Sequence, residues 1–292
     1  MIEWLRFLPF IQALKQVRND YWLHRFVQTP VKHLPTFLKT HQHFAHKNIA
    51  IVIAFEQPWA LNFLLEMAQK NLMDTQIIVC DNSKKISART EIEAICQKNK
   101  ISYLALPNNI TRHVNRSHGL AMSWAYENIV KPLNPRLFAF FDHDLIPVSP
   151  IYLEERLNAQ DFFGQRNKGK YGYWSLWPGY CIFNYAKVKD KKLNFLYDFP
   201  RDLDTGGRNW ETLYKHYDPQ HLRFSNHVKQ PFQLPDIAIQ ELVEIVDDRW
   251  IHISGISYND NFKPKFEFYQ ALSLLLKKGY DWPEISAIKT ST

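Results

Sequence analysis

Glycine is scarce in this chain: nine residues in 292, against sixteen prolines. That excludes collagen-like and glycine-rich low-complexity classes. Cysteine is scarcer still. Cys80, Cys96 and Cys181 stand far apart, with no Cys-x-x-Cys pair and no Cys/His zinc spacing. Three buried structural thiols in a reducing, cytoplasmic setting are therefore expected. No apolar run approaches the ~20 residues that a membrane-spanning helix needs. Arg6 and Pro9 interrupt the N-terminal apolar stretch and no small-residue cleavage site follows, which argues against a signal peptide. Internal repeats are absent.

What is present suits a globular protein, with 46% hydrophobic and 15% aromatic residues. A chain of this length buries ~75% of its unfolded surface. Its net charge is +7, which favours an anionic partner. The excess is concentrated in residues 1–48, where seven Lys and Arg stand against two acidic residues, with five histidines. Ile2, Leu5, Phe7, Leu8, Ile11 and Leu14 predict a helix over residues 2–18. Two readings fit it. It packs on the main domain, or it lies on an anionic membrane surface with Lys15, Arg18 and Arg25 at its flank. Pro30 and Pro35 mark a loop-rich connection to the rest.

Beyond residue 48 the pattern alternates. The continuous apolar run Ile49–Phe55 predicts a strand buried on both faces. A helix over 59–70, a strand over 76–80, a helix over 88–99 and a strand over 101–106 follow. A helix over 117–130 and a strand over 137–141 complete the series. This order predicts an α/β fold with a mostly parallel central sheet flanked by helices and an N-terminal helical extension. Glu56, Asp81 and Asp142 follow three of the strands, at the edge where open α/β sheets bind ligands. After residue 150 the chain reads as irregular, rich in Trp, Tyr, Gly and Pro. A helix over 264–278 closes it, with Lys277 and Lys278 in the last turn and Gly279 at its end.

Asp142-His143-Asp144 ends the most apolar strand. On an extended chain, side chains two apart point the same way. Asp142 and Asp144 would then face one cation, with His143 turned away. Magnesium or manganese favours such carboxylate oxygens and commonly keeps phosphate oxygens as further ligands. Asp204, before the turn Thr205-Gly206-Gly207, is the best source of a general base. Tyr173, Trp174, Trp177 and Tyr180 offer aromatic faces for stacking on sugar rings.

These motifs together resemble a nucleotide-sugar glycosyltransferase of the GT-A fold, close to the inverting bacterial surface-polysaccharide enzymes. The resemblance spans about residues 49–260. Ile77–Ser83 resembles that family's second strand and its Asp-Asn turn, which implies a nucleobase contact for Asp81 beside Asn82. Arg116-Ser117-His118-Gly119 resembles the family's helix start near the nucleotide. Asp142-His143-Asp144 matches its Asp-x-Asp signature, implying ribose and metal contacts. Trp250–Gly255 resembles a late segment whose histidine, here His252, completes the metal site or touches the diphosphate. Trp177-Pro178-Gly179 resembles the loop at the sugar–acceptor junction, with Gly206 also on the acceptor side. Phe55 and Glu56, at the end of the first strand, join the donor contacts.

The resemblance implies a single domain over residues 49–292, with a nucleotide-binding half (49–150) and an acceptor half (151–292). It implies Mn2+ or Mg2+, a nucleoside diphosphate-sugar donor with uridine as the base, and a glycan or lipid-linked glycan acceptor. It also implies a cytoplasmic enzyme peripheral to the inner face of the membrane. Two other classes compete. A nucleotidyltransferase would use the same carboxylates, but no glycine-rich phosphate loop follows the first strand. A basic nucleic-acid binder would interleave charge with the aromatics of residues 171–180, whereas the charge lies in residues 1–48; no nucleic-acid partner is expected.

Overall fold

All seven residues of the strand Asn48–Ala54 are buried, as its unbroken apolar run predicts. The structure, a computed structural model, describes residues 8–109, 111–234, 239–256, 263–282 and 285. In chain order the main helices are α1 (Pro9–Val27), α2 (Leu34–Thr40), α3 (Pro58–Asn71), α4 (Ile86–Lys98) and α5 (Val114–Ala125), followed by the late helix Lys263–Lys277. The strands are β1 (Asn48–Ala54), β2 (Leu72–Met73), β3 (Thr75–Asp81), β4 (Ser102–Ala105), β5 (Leu137–Asp142), β6 (Leu145–Pro147) and β7 (Ile151–Tyr152). They continue with β8 (Phe162–Lys168), β9 (Trp174–Asn184), β10 (His227–Gln233), β11 (Gln240–Val246) and β12 (Trp250–His252).

The central sheet has the order β4-β3-β1-β5-β9-β8. Its first four strands run parallel, and β9 and β8 close it antiparallel. This is the expected α/β architecture, a mostly parallel sheet between helices. Alternation along β1 separates two cores. Ala50, Val52 and Ala54 face α3 and the late helix, through Leu61, Leu65 and Phe268. Ile49, Ile51 and Ile53 face α5, through Leu120, Trp124 and Ala125. Each fully buried aliphatic or aromatic side chain contributes about 1.5–3 kcal/mol.

Local sequence explains the helix ends. Pro58 opens α3, where its missing N–H costs nothing. Helix α5 runs into a wide π turn over Tyr126–Val130, just before Pro132. The proline ring would crowd the carbonyl of Asn128 in a regular helix, and the wider turn gives it room.

The segment expected to be irregular contains the longest strand. β9 joins the central sheet over eleven residues and buries Trp174 and Tyr180. Its pairing with β8 breaks between Arg166↔Leu176 and Gly164↔Cys181, so Trp177–Tyr180 bulge out of the ladder. Pro178 sits in that bulge, where a strand tolerates a residue without an N–H.

The described part of the N-terminal segment, residues 8–48, packs on the domain; residues 2–7 of the expected helix lie outside the described residues. Phe26, Phe37 and Phe44 enter the α5-side core. Trp124 and Asn128 donate to the carbonyls of Thr29 and Val27. All three cysteines are free and buried, and burial pushes each thiol upward, Cys96 to about 12. Among the described residues no helix is long and apolar enough to cross a membrane.

Candidate active site

A second sheet, β10-β11-β12-β6, brings distant residues to the end of β5. Asp142 is the last residue of β5, and His143 and Asp144 form a turn into β6. β12 pairs antiparallel with β6, setting His252 opposite Leu145, and Ile253 N–H donates to the Asp144 carbonyl at 3.0 Å. β11 in turn sets Glu244 opposite His252. One row across three strands thus delivers His252 to Asp144 and Glu244 to His252.

Asp142, Asp144 and His252 each offer a ligand atom, all within 4.8 Å of one another. His252 Nε2 lies 3.6 Å from Asp144 Oδ1, and its Nδ1 lies 3.2 Å from Glu244 Oε2. Two carboxylate oxygens and an imidazole suit a divalent cation such as manganese or magnesium. A carboxylate behind the histidine fixes the ring so that its other nitrogen faces the site. The residues therefore fit the metal that the Asp-x-Asp signature implies.

Electrostatics follow from this packing. Burial pushes the Asp142 carboxyl upward, opposed by His118 and reinforced by Asp144. Burial would raise Asp144 as well, but His252 outweighs it and holds the carboxyl down at about 2. Burial favours a neutral His252 ring; Asp144 and Glu244 overcome that and raise it to about 10. Without a metal, the imidazolium supplies the positive charge that two adjacent carboxylates need.

The three residues line a cavity of about 370 Å³ at the carboxyl end of the parallel strands. Phe55, Asn82, Ser117, His118, His143 and Asp204 also line it, as do Trp177 and Pro178. His118 Nε2 lies 3.6 Å from Asp142 Oδ1. Trp177 packs against His252, with ring centroids 4.7 Å apart. His143 does not turn away as an extended chain would require. The turn places it among the residues that line the cavity, with the side chain buried and its Nε2 without a hydrogen-bond partner among the described residues. Asp204 Oδ1 accepts from its neighbour's Thr205 N–H at 2.7 Å and from Asn115 Nδ2.

The other expected site residues stand behind the wall. Asp81 is fully buried; its carboxylate accepts from Ser83 N–H at 2.8 Å and Tyr103 O–H at 3.0 Å. Glu56 accepts from the Lys84 and Lys85 N–H groups, bracing the loop after β3. Those bonds lower its carboxyl against the opposing effect of burial. Arg116 donates to Thr111 Oγ1 and Tyr197 Oη, inside the first turn of α5, which begins at Val114. Gly179 makes room: a Cβ there would collide with the Asp142 carboxylate and the Trp177 ring. Gly206 holds a turn at φ +83°. Tyr173, Trp174 and Tyr180 are not on the cavity wall; Trp174 and Tyr180 fill the core.

Sequence reasoning missed Glu244, Lys84, Arg112 and Asn115. The last three line the cavity. Glu244 had one available signal. Asp247 and Asp248 both adopt positive φ, 55° and 54°, as a tight hairpin turn demands, and that turn sets the β11–β12 register.

No protein-family model and no curated protein matches the chain. Among solved structures it is similar to S. aureus TarS, at 17% identity over 51% of this chain and 30% of that one, with a TM-score of 0.35. It is similar also to the mannosyltransferase PcManGT of Pyrobaculum calidifontis, solved with GDP-Man and Mn2+, at 8% identity over 60% and 52%, TM-score 0.36. A third is the galactosyltransferase LgtC with donor and acceptor sugar analogues, at 13% identity over 48% and 58%, TM-score 0.34. The chain spans 30% to 58% of the length of these three structures.

Proposed function

We propose that this chain is a metal-dependent glycosyltransferase acting on a nucleoside diphosphate-sugar. The carrying observation is the convergence of Asp142, Asp144 and His252 on one cavity at the ligand edge of a parallel sheet. When bound, a divalent cation there would act as a Lewis acid and offset the charge on the departing diphosphate.

The chain's own residues supply the rest. Lys84 and Arg112 line the same cavity and favour an anionic ligand. Asn82 lines the cavity and is assigned to the nucleobase, taken as uracil, with Asp81 bracing its turn from behind the wall. His143 and Ser117, which line the cavity, are assigned to the donor as well. Trp177 and Pro178 form an apolar wall suited to a sugar face. Asp204 takes the proton of the acceptor hydroxyl as that oxygen attacks the anomeric carbon. Its Oδ1 is oriented by Asn115 and Thr205. A single attack of this kind inverts the anomeric centre. The acceptor class is a glycan or lipid-linked glycan of surface polysaccharide, used at the cytoplasmic face of the membrane. Three buried, unpaired thiols suit that reducing compartment.

The test is a panel of nucleotide-sugars incubated with Mn2+, read by mass spectrometry. Donor hydrolysis or transfer that leaves a nucleoside diphosphate, and is lost in Asp142→Asn and Asp144→Asn, supports the reading. Pyrophosphate release would replace it with nucleotidyl transfer. Activity unchanged in both variants would reject the metal role.

A further inference from the structure

Leu23 and Phe26 pack the C-terminal end of helix α1 into the core, but before them its inner face is largely polar. Asn19 is buried and donates from Nδ2 to Tyr197 Oη at 2.9 Å. Gln16 Nε2 donates to Asp198 Oδ1 at 2.9 Å, and Asp20, the helix's single acidic residue, pairs with Arg208 at 2.9 Å. Four large apolar side chains point the other way. Phe10, Leu14, Val17 and Tyr21 recur at intervals of four, three and four, which aligns them on one stripe. They are 69%, 50%, 67% and 57% exposed. Arg25 extends the same stripe by one further turn and Arg18 borders it; both are exposed. No carboxylate of α1 lies on this face.

A soluble helix ordinarily shows the reverse arrangement, apolar side in. Here the inward hydrogen bonds fix the helix rotation, so the stripe cannot be hidden by rolling α1 on the domain. A continuous apolar ridge edged by arginines, with its acid drawn away, matches the boundary between anionic headgroups and acyl chains. We infer that the outer face of α1 docks the protein on an anionic lipid bilayer, with Phe10, Leu14, Val17 and Tyr21 inserted among the chains and Arg18 and Arg25 on the headgroups. This deepens the proposed use of a lipid-linked acceptor but does not depend on it. The docked helix is tied to the candidate site, because Tyr197 Oη also accepts from Arg116 Nη2 at 3.2 Å.

The experiment is co-sedimentation of the full chain with phosphatidylcholine vesicles, with and without phosphatidylglycerol. Binding needs no turnover, so its outcome is separate from that of the donor assay. The intact protein should sediment with the anionic vesicles and release in high salt. Arg18→Gln/Arg25→Gln should bind about thirtyfold more weakly, since each basic residue at an anionic surface contributes about 1 kcal/mol. Phe10→Ser/Val17→Ser should also release the protein, with an unchanged circular dichroism melt showing that the exposed changes leave the fold intact. No binding by the intact protein, or equal binding by the variants, would overturn the inference. So would a dimer in light scattering that the Phe10→Ser/Val17→Ser change splits, since a second copy would then be the partner of this face.

Discussion

Glu244 Oε2 lies 3.2 Å from His252 Nδ1 across the β11–β12 ladder, while the opposite edge of the ring, Nε2, faces Asp144. A carboxylate behind a ligating histidine fixes its tautomer and raises its basicity. Ser254 Oγ donates to the other Glu244 oxygen at 3.0 Å, so the carboxylate is itself held. Glu244→Gln should keep the fold and weaken Mn2+ binding by about 10–100-fold. Titration calorimetry on the purified protein measures this directly. Wild-type affinity in the variant would mean that Glu244 does not orient the ring.

The same row of charges sets a pH response. His252 is raised from its ordinary 6.5 to about 10, so its stabilising charge is complete below about 6.5 and is lost as pH climbs through 10. Asp144 is lowered from 3.8 to about 2, so its contribution is present above 3.8 and is lost as pH falls through 2. Thermal stability of the metal-free protein should therefore plateau between these limbs and decline on the alkaline side. His252→Gln should remove the alkaline decline. Mn2+ binding needs the neutral ring, so apparent affinity should rise by about tenfold per pH unit below 10. Calorimetry in buffers of different ionisation enthalpy would count the proton released; no release would show that His252 stays outside the coordination shell.

Two glycines separate a site defect from a backbone defect. A Cβ at Gly179 has no place to go except into Asp142 and Trp177. Gly179→Ala should displace the carboxylate and lower metal affinity. Gly206 stands at φ +83°, with open contacts around an added Cβ. Gly206→Ala should lower stability by about 1–2 kcal/mol through left-handed strain alone, leaving Mn2+ affinity unchanged. Equal metal affinity in the two variants would undo the role given to Gly179.

How far the sequence could be read follows from the range of each signal. β1, β3 and β5 announce themselves as local apolar runs ending in acids, so the parallel sheet and Asp142/Asp144 were legible. β9 was not, because Pro178 and Gly179 give a central strand the look of a loop; only the broken register with β8 reconciles them. The direction of His143 depended on a turn rather than on strand alternation. Glu244 acquires meaning only when β11 and β12 pair in one register, which the Asp247-Asp248 turn sets and the residues around Glu244 do not announce. The polar part of the inner face of α1 was hidden for a similar reason: Tyr197 and Asp198, its partners, lie 178 and 182 positions away.

Asp204 carries the most specific chemical expectation. Its carboxylate lines the cavity shared with Asp142 and His252, and two donors fix one oxygen. Asp202, two residues earlier, pairs with Lys170 at 3.4 Å and is not on the cavity wall. A general base contributes about 10²–10⁴-fold to the rate. Asp204→Asn should lower kcat for transfer within that range, while KM for the donor and Mn2+ affinity stay near wild type. Asp202→Asn should leave all three unchanged. A fall in donor affinity without a fall in kcat would instead make Asp204 a binding residue and move the search for the base elsewhere in the cavity.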